Sequence, residues 1–267
     1  MRMLFFCLAL IAQPAAADDS PLQSLDTWGQ SRGWEAVGLL DLAGGGVCTG
    51  TLVAGDLVLT AAHCLFDGAT GAPIDTQAIT FHAGWRDGRA AAERRVIRAV
   101  IDPGYRFVPS ATLGDVAHDL ALLKLADPVP LTHADPFATD TPPRAGDLVS
   151  VVSYGRGRLD APSKQRSCRA IGAVQDALAF SCEAEPGSSG APIFAQRGYR
   201  PRIVALVSGV GMRDGRAVTW GAGVAAPLAQ LRVLMDRGAE ISTPGFAPKR
   251  IGVGDTHDAG GARFIRP

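Results

Sequence analysis

Short apolar runs broken by glycine, proline and aspartate recur along most of this chain, and spacing of the helical kind is almost absent. "VCTGTLVAGDLVLT", "AITFHAGW", "RRVIRAVI", "DLALLKL", "DLVSVVSYG", "CRAIGAV", "APIFA", "RIVALVSGV" and "AVTWGAGV" read as strands, the first as a hairpin turning at Ala54-Gly55. The 32 glycines among 267 residues supply the turns that so many short strands need, so the expected fold is all-β. The stretch from Asp127 to Pro143, rich in Pro, Thr and Asp, divides the strands into two groups and reads as a linker. Two β units follow, over residues 28–130 and 140–238. A chain of this length can bury one large core or two small ones.

One segment has helical spacing. Leu228, Leu231, Leu234 and Met235 share a face of "PLAQLRVLMDRG", with Pro227 near its start and Gly238 as its stop, so a helix closes the second unit. Residues 239–267 are polar, rich in Gly and Pro and without period, and are expected to be a structureless tail. The formal net charge is zero, which points away from nucleic acid and from anionic membrane surfaces as partners.

The first residues carry an address. Arg2, the apolar run from Leu4 to Ala12 and the small residues Ala15-Ala16-Ala17 read as a secretory signal peptide over residues 1–17, cut after Ala17. The run is shorter than the ~20 apolar residues a membrane span needs, and no later segment qualifies, so the mature chain is expected to be soluble and secreted or periplasmic. Without Cys7 in the signal, four cysteines remain: Cys48, Cys64, Cys168 and Cys182. An even set in an exported chain suggests disulfides. Of the three possible pairings, proximity favours Cys48–Cys64 and Cys168–Cys182, each closing a loop worth ~3 kcal/mol in the chain-entropy picture. A zinc site is the competing reading, but Cys-x-x-Cys pairs and clustered histidines are lacking, so no metal is expected.

Three short stretches carry chemistry. "TAAHC" (Thr60 to Cys64) puts His63 at a strand end beside a half-cystine; alone, such a histidine is more often structural. "HDLALLKL" puts Asp119 at the head of an apolar run, where a carboxylate is costly unless something hydrogen-bonds it. "EAEPGSSGAP" (Glu183 to Pro192) places Ser188 and Ser189 between glycines, a composition that more often means a turn. His82, His118, His133 and His257 have no such context and read as structural or exposed.

Together the three stretches resemble the signatures of the trypsin/chymotrypsin-like serine peptidases: TAAHC, an Asp opening a D-[IL]-A-L-L strand, and G-D-S-G-G-P, in the order His, Asp, Ser. The resemblance runs from about Trp34 to the helix ending near Arg237. It implies two antiparallel six-stranded β-barrels with a C-terminal helix, and an endopeptidase with the triad His63, Asp119 and Ser189. It also implies an oxyanion hole from the N–H groups of Gly187 and Ser189, a protein or peptide substrate, a monomer, and no cofactor. Aligning Gly187-Ser188-Ser189-Gly190 on the motif makes Ser189 the nucleophile and puts Ser188 where the motif has Asp.

That replacement is a departure. In the animal digestive members the motif's Asp pairs with an amino terminus freed by cleavage, whereas Ser188 cannot, and no I-V-G-G-like start precedes Trp34. Many secreted bacterial relatives share this form. The resemblance also assigns the primary substrate pocket to Glu183, six before the nucleophile, with Ser208 and Val210 from the "SGV" segment that should pair with substrate backbone. Glu183 either selects Arg or Lys or stands in solvent. Glutamyl endopeptidases carry a His where Val207 stands here, which argues against selection for Glu. Two rivals remain: a non-catalytic binding module on the same fold, and an α/β-hydrolase esterase. The latter wants G-x-S-x-G and the order Ser, Asp, His, and the sequence has neither.

Overall fold

The computed structural model describes residues 19–43 and 46–238 and, by backbone, Phe264–Ile265. The signal segment and the rest of the tail lie outside the described residues. In chain order, strand β1 (Leu22–Ser24) and helix α1 (Trp28–Ser31) precede β2 (Val37–Asp41), β3 (Val47–Ala54), β4 (Leu57–Thr60), β5 (Thr80–Ala83) and β6 (Ala92–Ile101). Helix α2 (Leu113–Ala117) leads into β7 (Ala121–Leu125). These strands close antiparallel into a barrel of order β2-β3-β4-β7-β6-β5. Its centre is filled by side chains such as Leu40, Leu52, Leu59, Phe81, Val96 and Leu122. Fully burying an aliphatic or aromatic side chain of this kind is worth roughly 1.5–3 kcal/mol.

A second ring follows from β8 (Leu148–Gly155), β9 (Arg158–Val174), β10 (Ala177–Phe180), β11 (Pro192–Arg197), β12 (Arg200–Arg213) and β13 (Arg216–Gly223). Its order is β9-β10-β13-β12-β11-β8, and the β8–β9 hairpin closes it. The core is built from Val151, Phe180, Ile193, Val204 and Val207 around the Cys168–Cys182 disulfide. The two six-stranded barrels agree with the sequence expectation. The terminal helix α3 (Ala225–Asp236) follows, and a two-residue strand, β14 (Phe264–Ile265), lies parallel to Val210 and Gly211 of β12.

Three features depart from the sequence reading. The segment β1, which is not among the strands read from the sequence, adds to the edge of β9 in the second barrel, with Leu22 opposite Gln165. Helix α3, grouped by sequence with the second unit, buries Leu228, Leu231 and Met235 in the core of the first, and Arg232 donates to the Val53 carbonyl at 3.0 Å. The linker is packed rather than loose. Phe137 is buried against Trp34 and Phe194, its N–H donates to Leu52 O at 3.0 Å, and Asp140 N–H donates to Ile203 O at 2.8 Å. Each of these crossings ties one barrel to the other.

Candidate active site

Strand register brings His63 and Asp119 together. In the antiparallel pair β4–β7, Thr60 lies opposite Ala121, so residues just past Thr60 meet residues just before Ala121 beyond the end of the ladder. His63 sits there in a 3-10 turn (Ala62–Leu65), held to β3 by the Cys48–Cys64 disulfide. Asp119 is presented by α2, whose Leu113 and Val116 bury against Ala179 and Trp220 of the second barrel. The carboxylate takes three donors. His63 N–H reaches Oδ1 at 2.8 Å, His63 Nδ1 lies 2.6 Å from Oδ2, and the Ser208 hydroxyl donates to Oδ2 as well. Asp119 is buried, and burial alone would raise its pKa. The attraction of His63, the hydrogen bonds of its ring and of Ser208, and the His63 backbone N–H outweigh burial and hold the carboxyl below its ordinary range.

An ionised carboxylate only accepts, so the imidazole proton resides on Nδ1 and Nε2 keeps its lone pair. Nε2 is buried and has no hydrogen-bond partner among the described residues. The serine loop abuts this site. Ser189 O accepts from Thr49 N–H at 2.8 Å, and Thr49 is the neighbour of Cys48, whose disulfide partner Cys64 adjoins His63. Thr49 is the common anchor of the cleft: its hydroxyl donates to Gly187 O at 2.9 Å and accepts from Tyr154 N–H at 3.0 Å. Both serines are buried. Gly187 has φ of +98°, and a Cβ there would stand 3.1 Å from Gly155 Cα, so the loop needs glycine at this point.

Beside the serine loop a pocket is lined by Leu22, Arg158, Glu183, Glu185, Val210 and Thr219, among others. Glu183 and Val210 are both part of this lining. Glu183 is exposed and has no cationic partner among the described residues, whereas Glu185 is paired with Arg158. Ser208 is placed differently: it falls where the β12–β13 register shifts, and its hydroxyl turns to Asp119. Cys48, His63 and Cys64 lie close enough together to suggest a metal cluster, but the two sulfurs are joined to each other and offer no thiolate. His118 hydrogen-bonds Asp102 through Nδ1 at 3.0 Å, and His82 faces Glu93 at 3.2 Å.

A family model of the trypsin-like peptidase domain matches residues 48–205, more than half of the sequence. The chain belongs to the trypsin-like peptidase family. Relatives of this chain include the modular serine protease of Drosophila melanogaster, 35% identical over 92 residues, which are 32% of this chain and 14% of that protein. Serine protease 23 of Bos taurus is 29% identical over 188 residues, 61% of this chain and 48% of the relative. This trypsin-like chain therefore spans about half the length of that relative or less. Among solved structures, a Glu endopeptidase in complex with MPD superposes with a TM-score of 0.67, covering 82% of this chain and 98% of that one at 17% identity. At that identity the likeness concerns the fold.

Thr49 and Arg158 carried no signal in the sequence, and Glu185 lay within the serine motif without being singled out.

Proposed function

We propose that the protein is an exported serine endopeptidase that cleaves peptide bonds through an acyl-enzyme. The observation that carries this reading is the buried His63–Asp119 pair, with Nε2 left as a lone-pair acceptor beside the serine loop. As the Ser189 Oγ–C bond forms, the hydroxyl proton passes to His63 Nε2, and the carbonyl π pair moves onto oxygen. The N–H groups of Gly187 and Ser189 receive that charge, each worth ~3 kcal/mol in the transition state. Collapse expels the amine with the proton from Nε2, and water repeats the sequence to free the acid. Asp119 holds the tautomer and stabilises the imidazolium.

The pocket supports a cationic side chain at the cleaved bond. Arg158 and Glu185 neutralise each other, which leaves the Glu183 carboxylate as the uncompensated charge of the lining. An acidic lining disfavours acidic substrates, whatever the fold neighbour cleaves. Both disulfides support a working place outside the cytosol, secreted or periplasmic.

Labelling with a fluorophosphonate, alongside hydrolysis of a peptide amide, tests the reading. The wild type is expected to label and to hydrolyse, Ser189→Ala to do neither, and Ser188→Ala to keep most of both. A wild type that does neither is a binding module on this fold. Equal loss in both variants would place the nucleophile wrongly.

A further inference from the structure

The tip of the β8–β9 hairpin lies against the loop that precedes Ser189, and the contact is densely bonded. Arg156 N–H donates to Pro186 O at 2.7 Å. The Pro186–Gly187 peptide is planar and trans, so fixing its oxygen on one side aims the Gly187 N–H to the other. Beneath it, the Arg158 guanidinium spans hairpin and loop. Its Nη1 donates to Ser153 O at 2.7 Å, its Nη2 to Ser153 Oγ at 3.1 Å and to Ser188 Oγ at 3.3 Å, and its Nε to the Glu185 carboxylate. Ser188 Oγ donates in turn to Tyr154 O at 3.2 Å and accepts from Glu185 N–H at 3.3 Å. The ion pair crosses directly over Gly155: a Cβ there would stand 2.5 Å from Glu185 Oε1 and 2.6 Å from Arg158 Nη2.

We propose that Arg158, paired with Glu185 and hydrogen-bonded to Ser188, is the positioning residue that holds the Glu185–Ser189 loop with its Gly187 N–H aimed into the site. The inference rests on the peptidase reading above. It explains how a chain with Ser188 in place of an Asp keeps the loop in shape: the positive partner is a guanidinium of its own hairpin, and the carboxylate is moved three residues back to Glu185. A planar fork suits this task because it engages the carboxylate, a carbonyl and two hydroxyls at once, which a lysine ammonium on a flexible stem cannot reproduce. No freed α-amino group is needed in this arrangement.

The test compares wild type with Arg158→Met, Arg158→Lys, Glu185→Gln and Gly155→Ala. The last displaces the flexible ends of the pair while removing neither charge. The readouts are kcat and KM on a peptide amide, affinity for a matching peptide boronate, whose tetrahedral adduct needs the oxyanion hole, and affinity for the uncleaved product peptide, which does not. Loss of one oxyanion donor costs about 10²–10³ in kcat. Arg158→Met, Gly155→Ala and Glu185→Gln are expected to lower kcat by at least about tenfold, with boronate affinity falling in step and product affinity and KM within about threefold. Arg158→Lys is expected to recover only part of the loss. If Arg158→Met does not fold, Glu185→Gln and Gly155→Ala carry the same comparison. Unchanged kcat and boronate affinity in variants of an active wild type would overturn the inference, as would a loss confined to KM and product affinity, which would make Arg158 a pocket wall. A wild type without hydrolysis or fluorophosphonate labelling would instead overturn the peptidase reading.

Discussion

Replacing Asp119 by Asn probes the least forgiving geometry of the site. The carboxylate accepts on Oδ1 from His63 N–H at 2.8 Å and on Oδ2 from the His63 ring and the Ser208 hydroxyl. An asparagine has one oxygen and one NH₂. If its oxygen stays with the backbone N–H, the NH₂ faces the imidazole, whose proton must move to Nε2; the lone pair that would receive the serine proton is gone. If the amide flips, two N–H donors face each other in a buried site. The first arrangement preserves the fold and abolishes the base, and its expected cost is about 10⁴ in kcat. At 1.36 kcal/mol per tenfold, that is about 5 kcal/mol of barrier. Ser208→Ala leaves Asp119 charged and removes one donor, for a loss of about tenfold. The assay is kcat on a chromogenic peptide amide at saturation, with fluorophosphonate labelling rates and a melting curve as checks on chemistry and fold. A folded Asp119→Asn protein that keeps more than a tenth of wild-type kcat would refute the tautomer argument.

Glu183→Gln should reduce cleavage after Arg and Lys far more than after Leu or Ala, read from a peptide library; an unchanged preference would place the carboxylate in solvent without a role. Reduction of both disulfides removes ~3 kcal/mol apiece and should lower the melting temperature by about 10 °C or more, with activity falling too because Cys64 adjoins His63. Folding holds Asp119 below its ordinary pKa, so the stability it supplies is complete above about pH 5 and drains as pH falls through its folded value. Acid denaturation midpoints of wild type and Asp119→Asn measure that share, and identical acid limbs would assign it elsewhere.

The three residues proposed as the triad were legible as a candidate site because each sits in a short motif whose spacing is set by local geometry: a strand end, a strand head and a tight turn. The two barrels were legible for a similar reason, since glycine and proline punctuate the strands. Strands β2 and β10 escaped notice, and "CRAIGAV" proved to be the end of a strand that begins at Arg158. "RLDAPSKQRS" shows little alternation because β9 pairs with β8, β10 and β1 along different parts of its length. Which barrel β1 and α3 would join depends on surfaces that exist only after folding. Thr49 and Arg158 were hidden for the same reason, their partners being 105 residues away at Tyr154 and 27 away at Glu185.

Helix α3 follows the second barrel yet closes the core of the first, with Leu231 fully enclosed among its strands. An element that follows the second barrel in the chain therefore seals the barrel that precedes it. Until it arrives, His63 and Asp119 belong to a barrel with an open flank, and Ser189 has no finished partner surface to meet. On the peptidase reading, cutting power would therefore arise only once the second barrel and the helix after it have both been made.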